Sequence, residues 1–250
     1  MNSQELLLEK GNGVRIIKFN RPNRKNAMSP EIYLNLTKLL NEDAKDDSIV
    51  ITILTGVGDY YSSGNDITAP SNLDINERLN LVHDMVTAFI NYPKIIISVV
   101  NGPAIGIAAT TAALCDIVYA SDRAIFDTPF LKLGLCCEAC SSYTFPAILG
   151  RSKASEVLLL NHKLTAQEAY LFGFVSKVIP HDQLNEFIID LHKYGSLSPN
   201  SVKLNKKLIT RNFTTLNECN NIETKALHQC VNSEEFNAAI MQFLKRRSKL

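Results

Sequence analysis

Short apolar runs, each closed by a polar or turn-forming stretch, dominate the first half of the chain. Leu6-Leu7-Leu8 and the segment Val14 to Phe19 read as strands, joined by Gly11-Asn12-Gly13 as a hairpin turn. Ser29-Pro30-Glu31 opens a helix, with serine as N-cap, proline at the first helical position and an acid in the first turn. Ile32, Leu36, Leu39 and Leu40 recur at helical spacing as its apolar stripe. Ile49 to Leu54 is apolar almost without a break, the pattern of a strand covered on both faces. A polar loop runs from Gly56 to Asp66, and the helical pattern after it continues to about Asn91, where Pro93 stops it. The unit then recurs. Ile95 to Val100 predicts a second buried strand, Asn101-Gly102-Pro103 a turn, Ala108 to Leu114 a small-residue helix, and Asp116 to Ala120 a third strand.

After Ser141 the pattern is mostly helical. Thr165-Ala166-Gln167-Glu168 has the spacing of a capping box, Val175 to Ile179 reads as one late strand, and helices are expected after Gln183, Pro199, Leu216 and Ser233. No linker-like tract interrupts the 250 residues, so the pattern predicts one α/β domain with a helical C-terminal third.

Composition narrows the classes. The chain is 46% hydrophobic and 20% charged, as in ordinary globular proteins. Lys+Arg 26 against Asp+Glu 25 gives a net charge of +1, without the positive excess of non-specific nucleic-acid binders. No apolar run reaches the ~18 residues that span a bilayer. The first residues lack the cationic and apolar regions of a secretory signal. A soluble, intracellular protein without nucleic-acid partners is expected. The six cysteines are then reduced structural thiols. Cys137 and Cys140 form a C-x-x-C, but no second ligand pair accompanies them, so no metal site is predicted. The terminal Ser248-Lys249-Leu250 matches a receptor-read peroxisomal signal, which predicts the peroxisomal matrix and its import receptor as partner.

Familiar catalytic motifs are missing: there is no Walker loop, no G-x-S-x-G and no H-E-x-x-H. The five histidines are scattered and read as structural. Two segments after buried strands are rich in small residues, Tyr60 to Ile67 and Asn101 to Ala109. Each would let a ligand approach backbone N–H groups, and two converging donors would make an oxyanion hole.

Together these segments resemble the enoyl-CoA hydratase/isomerase (crotonase) superfamily. Tyr61 to Ile67, Val100 to Gly106 and Cys115 to Ala120 match its motifs in order. Asn20-Arg21-Pro22 with Asn26-Ala27 matches its early segment, and Leu164 to Ala169 through Gly173-Phe174-Val175 its late one. The resemblance implies a crotonase-like spiral of ββα repeats, to about residue 195, and a helical C-terminal trimerisation region beyond. It implies an acyl-CoA thioester substrate, a homotrimer, and no cofactor apart from the coenzyme A of the substrate. Gly64, Asn65, Asp66, Ile67, Thr68, Lys25 and Ala27 would line the substrate site, Lys25 or a C-terminal lysine of a neighbouring protomer meeting the CoA phosphates. The backbone N–H groups of Asn65 and Ile107 would form the oxyanion hole.

The two glutamates that hydratases of this family use would fall at Thr110 and Phe130, and neither residue can serve as a carboxylate. The Δ3,Δ2-enoyl-CoA isomerase branch instead uses one glutamate slightly further on, which implies Glu138 as the base, in apolar company that would raise its pKa. With the terminal tripeptide, the branch's peroxisomal members match best, and mitochondrial placement is left to longer forms. Relatives often carry an N-terminal acyl-CoA-binding domain, absent from these residues, which implies a truncated chain or a shorter paralogue. Isomerases commonly place proline before this glutamate and glycine after it, where this chain has Cys137 and Ala139. Alanine disfavours positive φ and adds a methyl beside the acyl chain, so the sequence leaves open both the placement of Glu138 and the acyl-length preference. The alternatives are a catalytically weak acyl-CoA-binding paralogue and another crotonase-type reaction such as dienoyl-CoA isomerisation.

Overall fold

The computed structural model describes residues 4–69, 71–211 and 213–247. Strands β1 (Leu6–Gly11) and β2 (Val14–Phe19) form the expected hairpin, Gly11 facing Val14 across the turn. Helix α1 (Pro30–Asp43) starts at Ser29, whose hydroxyl accepts the Ile32 N–H, and buries Ile32, Tyr33, Leu36 and Leu40. Then follow β3 (Ile51–Gly56), α2 (Ile75–Asn91), β4 (Ile95–Val100), β5 (Ala104–Ile105), α3 (Ile107–Ala112), β6 (Ile117–Ser121) and β7 (Ile125–Asp127). The later half holds α4 (Ser141–Leu149), α5 (Arg151–Leu160), β8 (Leu164–Thr165), α6 (Ala166–Leu171), β9 (Lys177–Ile179), α7 (Leu184–Asp190), α8 (Pro199–Ile209), α9 (Phe213–Val231) and α10 (Glu234–Arg247).

The main sheet has six strands in the order β1-β2-β3-β4-β6-β9, antiparallel at the hairpin and parallel thereafter. Its strands read as unbroken apolar runs because both faces are covered. In β3, Leu54 packs with α1 and α2, whereas Ile51 and Ile53 pack with Leu184 and Ile188 of α7. A second sheet, β5-β7-β8, has strands of two or three residues, too short to show alternation in the sequence. It carries the chain from the main sheet to the segment before α4.

Helix α9 begins at Phe213, ahead of its expected start after Leu216, and lies along α2. Leu79 packs against Leu227 and Val231, the Asn220 amide donates to the His83 carbonyl and the Thr87 hydroxyl, and the His228 ring meets the Asn76 amide at 2.8 Å. A distant helix is thereby fixed beside the middle of the chain. No described helix is long and apolar enough to cross a membrane.

Candidate active site

The loop after β3 is woven into the backbone on both sides. Its Gly64 carbonyl accepts the Met28 N–H at 2.8 Å, the Asp66 N–H reaches the Met28 carbonyl at 2.9 Å, and the Ile105 N–H reaches the Ser62 carbonyl at 2.9 Å. Asn26 and Asn101 fasten the preceding turn, each donating its amide to the Tyr60 carbonyl. Gly64 has φ of 82°, and a Cβ there would lie 2.5 Å from the Ile105 carbonyl oxygen. Glycine is required by both conformation and space. Asn65 is thus delivered against the start of α3, where Gly106 and Ile107 stand.

Glu138 meets these residues from the opposite side. A Cβ on Gly106 would contact Glu138 Oε1 at 3.8 Å and the Phe130 ring at 3.9 Å, so the carboxyl, the ring and the glycine backbone adjoin. Only 4% of Glu138 is exposed. Burial pushes its carboxyl up to about 8, and the nearby Glu223 charge adds to this, while hydrogen bonds from the Asn65 side chain and the Ile107 N–H oppose it. Asn65 is itself held by the Tyr33 hydroxyl, which donates to Asn65 Oδ1. Asn65, itself exposed, thus links two buried groups, the Tyr33 phenol and the Glu138 carboxyl. Desolvation, with the charges of Glu138 and Asp66, keeps the Tyr33 phenol protonated well above its ordinary range.

The other expected site residues take distinct places. Asp66 receives the Thr68 hydroxyl at 2.8 Å and the Thr68 N–H at 3.1 Å, and pairs with Arg21 at 2.9 Å. Burial pushes the Asp66 carboxyl up, but these partners outweigh it and leave it below the ordinary value. Ala27 is buried, with its carbonyl accepting from Arg21. Lys25 is exposed, its ammonium 5.2 Å from the centre of the Tyr60 ring, and its carbonyl accepts the Ser63 N–H. Ile67 is partly exposed at the outer end of the loop. Thr110 and Phe130 are both buried. The Thr110 hydroxyl donates within α3, to the Ile107 carbonyl at 3.2 Å. Ser248, Lys249 and Leu250 lie outside the described residues.

One expectation is corrected. Ala139 does reach positive φ, at 53°, and Cys140 follows at 60°. The Ser141 N–H closes a turn onto the Glu138 carbonyl at 3.2 Å, with both central residues left-handed, as in a type I′ turn. That conformation costs a non-glycine residue roughly 1–2 kcal/mol, yet Glu138 remains aimed at Asn65 and Ile107. Two residues here escaped sequence reasoning. Tyr33 had a faint signal, a polar hydroxyl on the apolar face of α1. Glu223 had none, since it enters from α9.

All six cysteines are free thiols, Cys136 meeting Cys230 and Cys140 meeting Cys219, and burial pushes Cys136 up to about 12 and Cys137 up to about 11. Cys140, Cys219 and Glu223 bring their heads within 4.8 Å of one another. Both Glu223 oxygens, however, already accept backbone N–H groups at the positive end of α4, where a cation is disfavoured. His83, His162, His181 and His228 tie helices and loops together, bonding to Asn221, Glu168, Ser121 and Asn76.

A largely parallel sheet followed by short strands and a helical C-terminal part is a crotonase-type fold. The chain belongs to the enoyl-CoA hydratase/isomerase family, whose profile matches residues 9–249. It is 43% identical to the rat protein named enoyl-CoA delta isomerase 2 over 99% of this chain, and spans 65% of that relative's length. It is also 43% identical to the mouse protein named enoyl-CoA delta isomerase 3, peroxisomal, covering 99% of this chain and 80% of the relative. A crystal structure of an enoyl-CoA hydratase/isomerase from Pseudoalteromonas atlantica superposes with a TM-score of 0.90 at 32% identity, covering 97% and 98% of the two chains.

Proposed function

We propose that the chain is a Δ3,Δ2-enoyl-CoA isomerase, which moves the double bond of a 3-enoyl-CoA to the 2-trans position. The observation that carries this reading is that Glu138 is the carboxyl bonded by Asn65 and Ile107, with a hydroxyl and a phenyl ring where a hydratase would hold two glutamates. One carboxylate suffices for the balance of the reaction. Glu138 takes a proton from C2, the electron pair spreads over a dienolate, and the same proton returns to C4 on the same side. Nothing is gained or lost, so no cofactor is needed. Negative charge collects on the thioester oxygen, which the backbone N–H groups of Asn65 and Ile107 receive, Ile107 exchanging its bond to Glu138 for the substrate oxygen. Losing one such donor costs about 3–4 kcal/mol of transition-state stabilisation.

Burial supplies the base strength. With its carboxyl held up to about 8, Glu138 is a stronger base than an exposed glutamate, and kcat/KM rises as pH climbs through that value. Gly64, Asn65, Asp66, Ile67 and Thr68 line the thioester side. Ala27 and Lys25 run beside them, and the exposed Lys25 ammonium meets a CoA phosphate. A homotrimer is supported by the exposed Leu204, Leu208, Ile209 and Ile222 of α8 and α9, and a single catalytic domain by the packing of α9 on α2. The name of the mouse relative supports a peroxisomal location, which the import receptor would secure. Mitochondrial placement has no comparable support.

The test is turnover of trans-3-hexenoyl-CoA and trans-3-decenoyl-CoA, followed by the ultraviolet absorbance of the conjugated thioester and by mass. Conjugation at unchanged mass is expected. Gain of one water would overturn the reading in favour of hydration, and tight CoA-ester binding without turnover would favour an inactive binding protein.

A further inference from the structure

We propose that Glu223 is a positioning residue for Glu138, its two carboxylate oxygens clamping the backbone turn that aims the Glu138 side chain at Asn65 and Ile107. The inference rests on the isomerase reading for its kinetic consequence, but its structural basis stands apart. Glu223 Oε2 accepts the Cys140 N–H at 2.6 Å, and Oε1 accepts the Ser142 N–H at 2.8 Å, across more than eighty residues of sequence. Only 4% of Glu223 is exposed. Among the described residues no cation pairs with it; its partners are two backbone donors at the start of α4 and the Cys219 thiol.

The clamp answers a local difficulty. Helix α4 opens on Cys140, which provides no side-chain cap, so its first N–H groups need acceptors from elsewhere. The turn from Glu138 to Ser141 also places two non-glycine residues at positive φ, at roughly 1–2 kcal/mol each. Charge-assisted hydrogen bonds contribute about 1.5–3 kcal/mol each. Two of them are enough to hold the turn without glycine. Helix α9 is in turn held to α2 by Asn220 and His228, so the clamp stands on a fixed support.

Glu223 also acts on Glu138 through space, because its negative charge opposes ionisation of the Glu138 carboxyl. The titratable groups facing this pair are Tyr33 of α1, Asp66 in the loop after β3, Cys136 before the turn, Cys137 and Cys140 of the turn, and Cys219 of α9. Arg21 is engaged by Asp66 and Glu5. Replacing the Glu223 charge would therefore leave Glu138 a weaker and more easily ionised base.

The experiment compares wild type, Glu223→Gln and Glu223→Asp by the pH dependence of 3-hexenoyl-CoA isomerisation and by ¹³C NMR titration of the Glu138 carboxyl. In Glu223→Gln, which keeps one acceptor but loses the charge, kcat is expected to fall at least tenfold with KM little changed. The acid limb of kcat/KM and the carboxyl titration should both move down by about one pH unit. Glu223→Asp, which keeps the charge and folds if the amide variant does not, should hold both near the wild-type pH. A lowered melting temperature in Glu223→Gln with kcat, acid limb and carboxyl titration unchanged would overturn the proposal and leave a merely structural cap. If wild type itself fails to isomerise, the functional reading falls, while the carboxyl titration still decides the role of Glu223.

Discussion

Two loops face each other across the site, and they are held in opposite ways. The Ser62 to Asp66 loop is held by backbone pairing on both sides, with Met28 and Ile105, and by a glycine at the position where only glycine fits. The Glu138 to Ser141 turn adopts an equally unusual backbone with alanine and cysteine, and draws its support from a carboxylate on a distant helix. The first loop presents backbone donors and must be stiff. The second presents the base, and its support also carries charge, so shape and proton affinity are set together.

The contrast can be broken first at Gly64. Gly64→Ala would push a Cβ to 2.5 Å from the Ile105 carbonyl at φ of 82°, so the backbone must shift and carry Asn65 with it. A displacement approaching 1 Å costs on the order of a hundredfold in rate, and steady-state kinetics should show that loss in kcat. Tyr33→Phe tests the link between the loops. It removes the hydroxyl that holds Asn65, a loss of about 1 kcal/mol and so roughly five- to tenfold in kcat, with KM nearly unchanged. Ala139→Gly is the mildest. It relieves a residue at φ of 53° and should raise stability by about 1 kcal/mol, read as a rise of roughly 2–4 °C in melting temperature. A fall in melting temperature would mean that the turn is not strained.

How much of this was legible in the sequence follows the same divide. The hairpin, the Ser29 cap, the buried strands and the Thr165 capping box depend on neighbours within a few residues, and each was readable. The short strands of the second sheet were not, because two residues carry no period. At the site, Gly64, Asn65 and Ile107 sit in motifs whose small residues announce close backbone approach. Glu138 needed family resemblance to separate it from a surface acid. Its neighbour Ala139 misled, because local preference disfavours a conformation that Glu223 stabilises from across the fold. Glu223 looked like any other acid on an amphipathic helix.

The account centres on one buried carboxylate making both proton transfers, and a label can follow that proton. Trans-3-hexenoyl-CoA carrying two deuteriums at C2 would be turned over briefly by wild type and by Glu138→Gln, and the product mapped by NMR. Deuterium appearing at C4 with wild type, and no product with the variant, is the predicted result. Product from the variant, or C4 filled only by solvent hydrogen from the earliest turnovers, would contradict a single shuttling base.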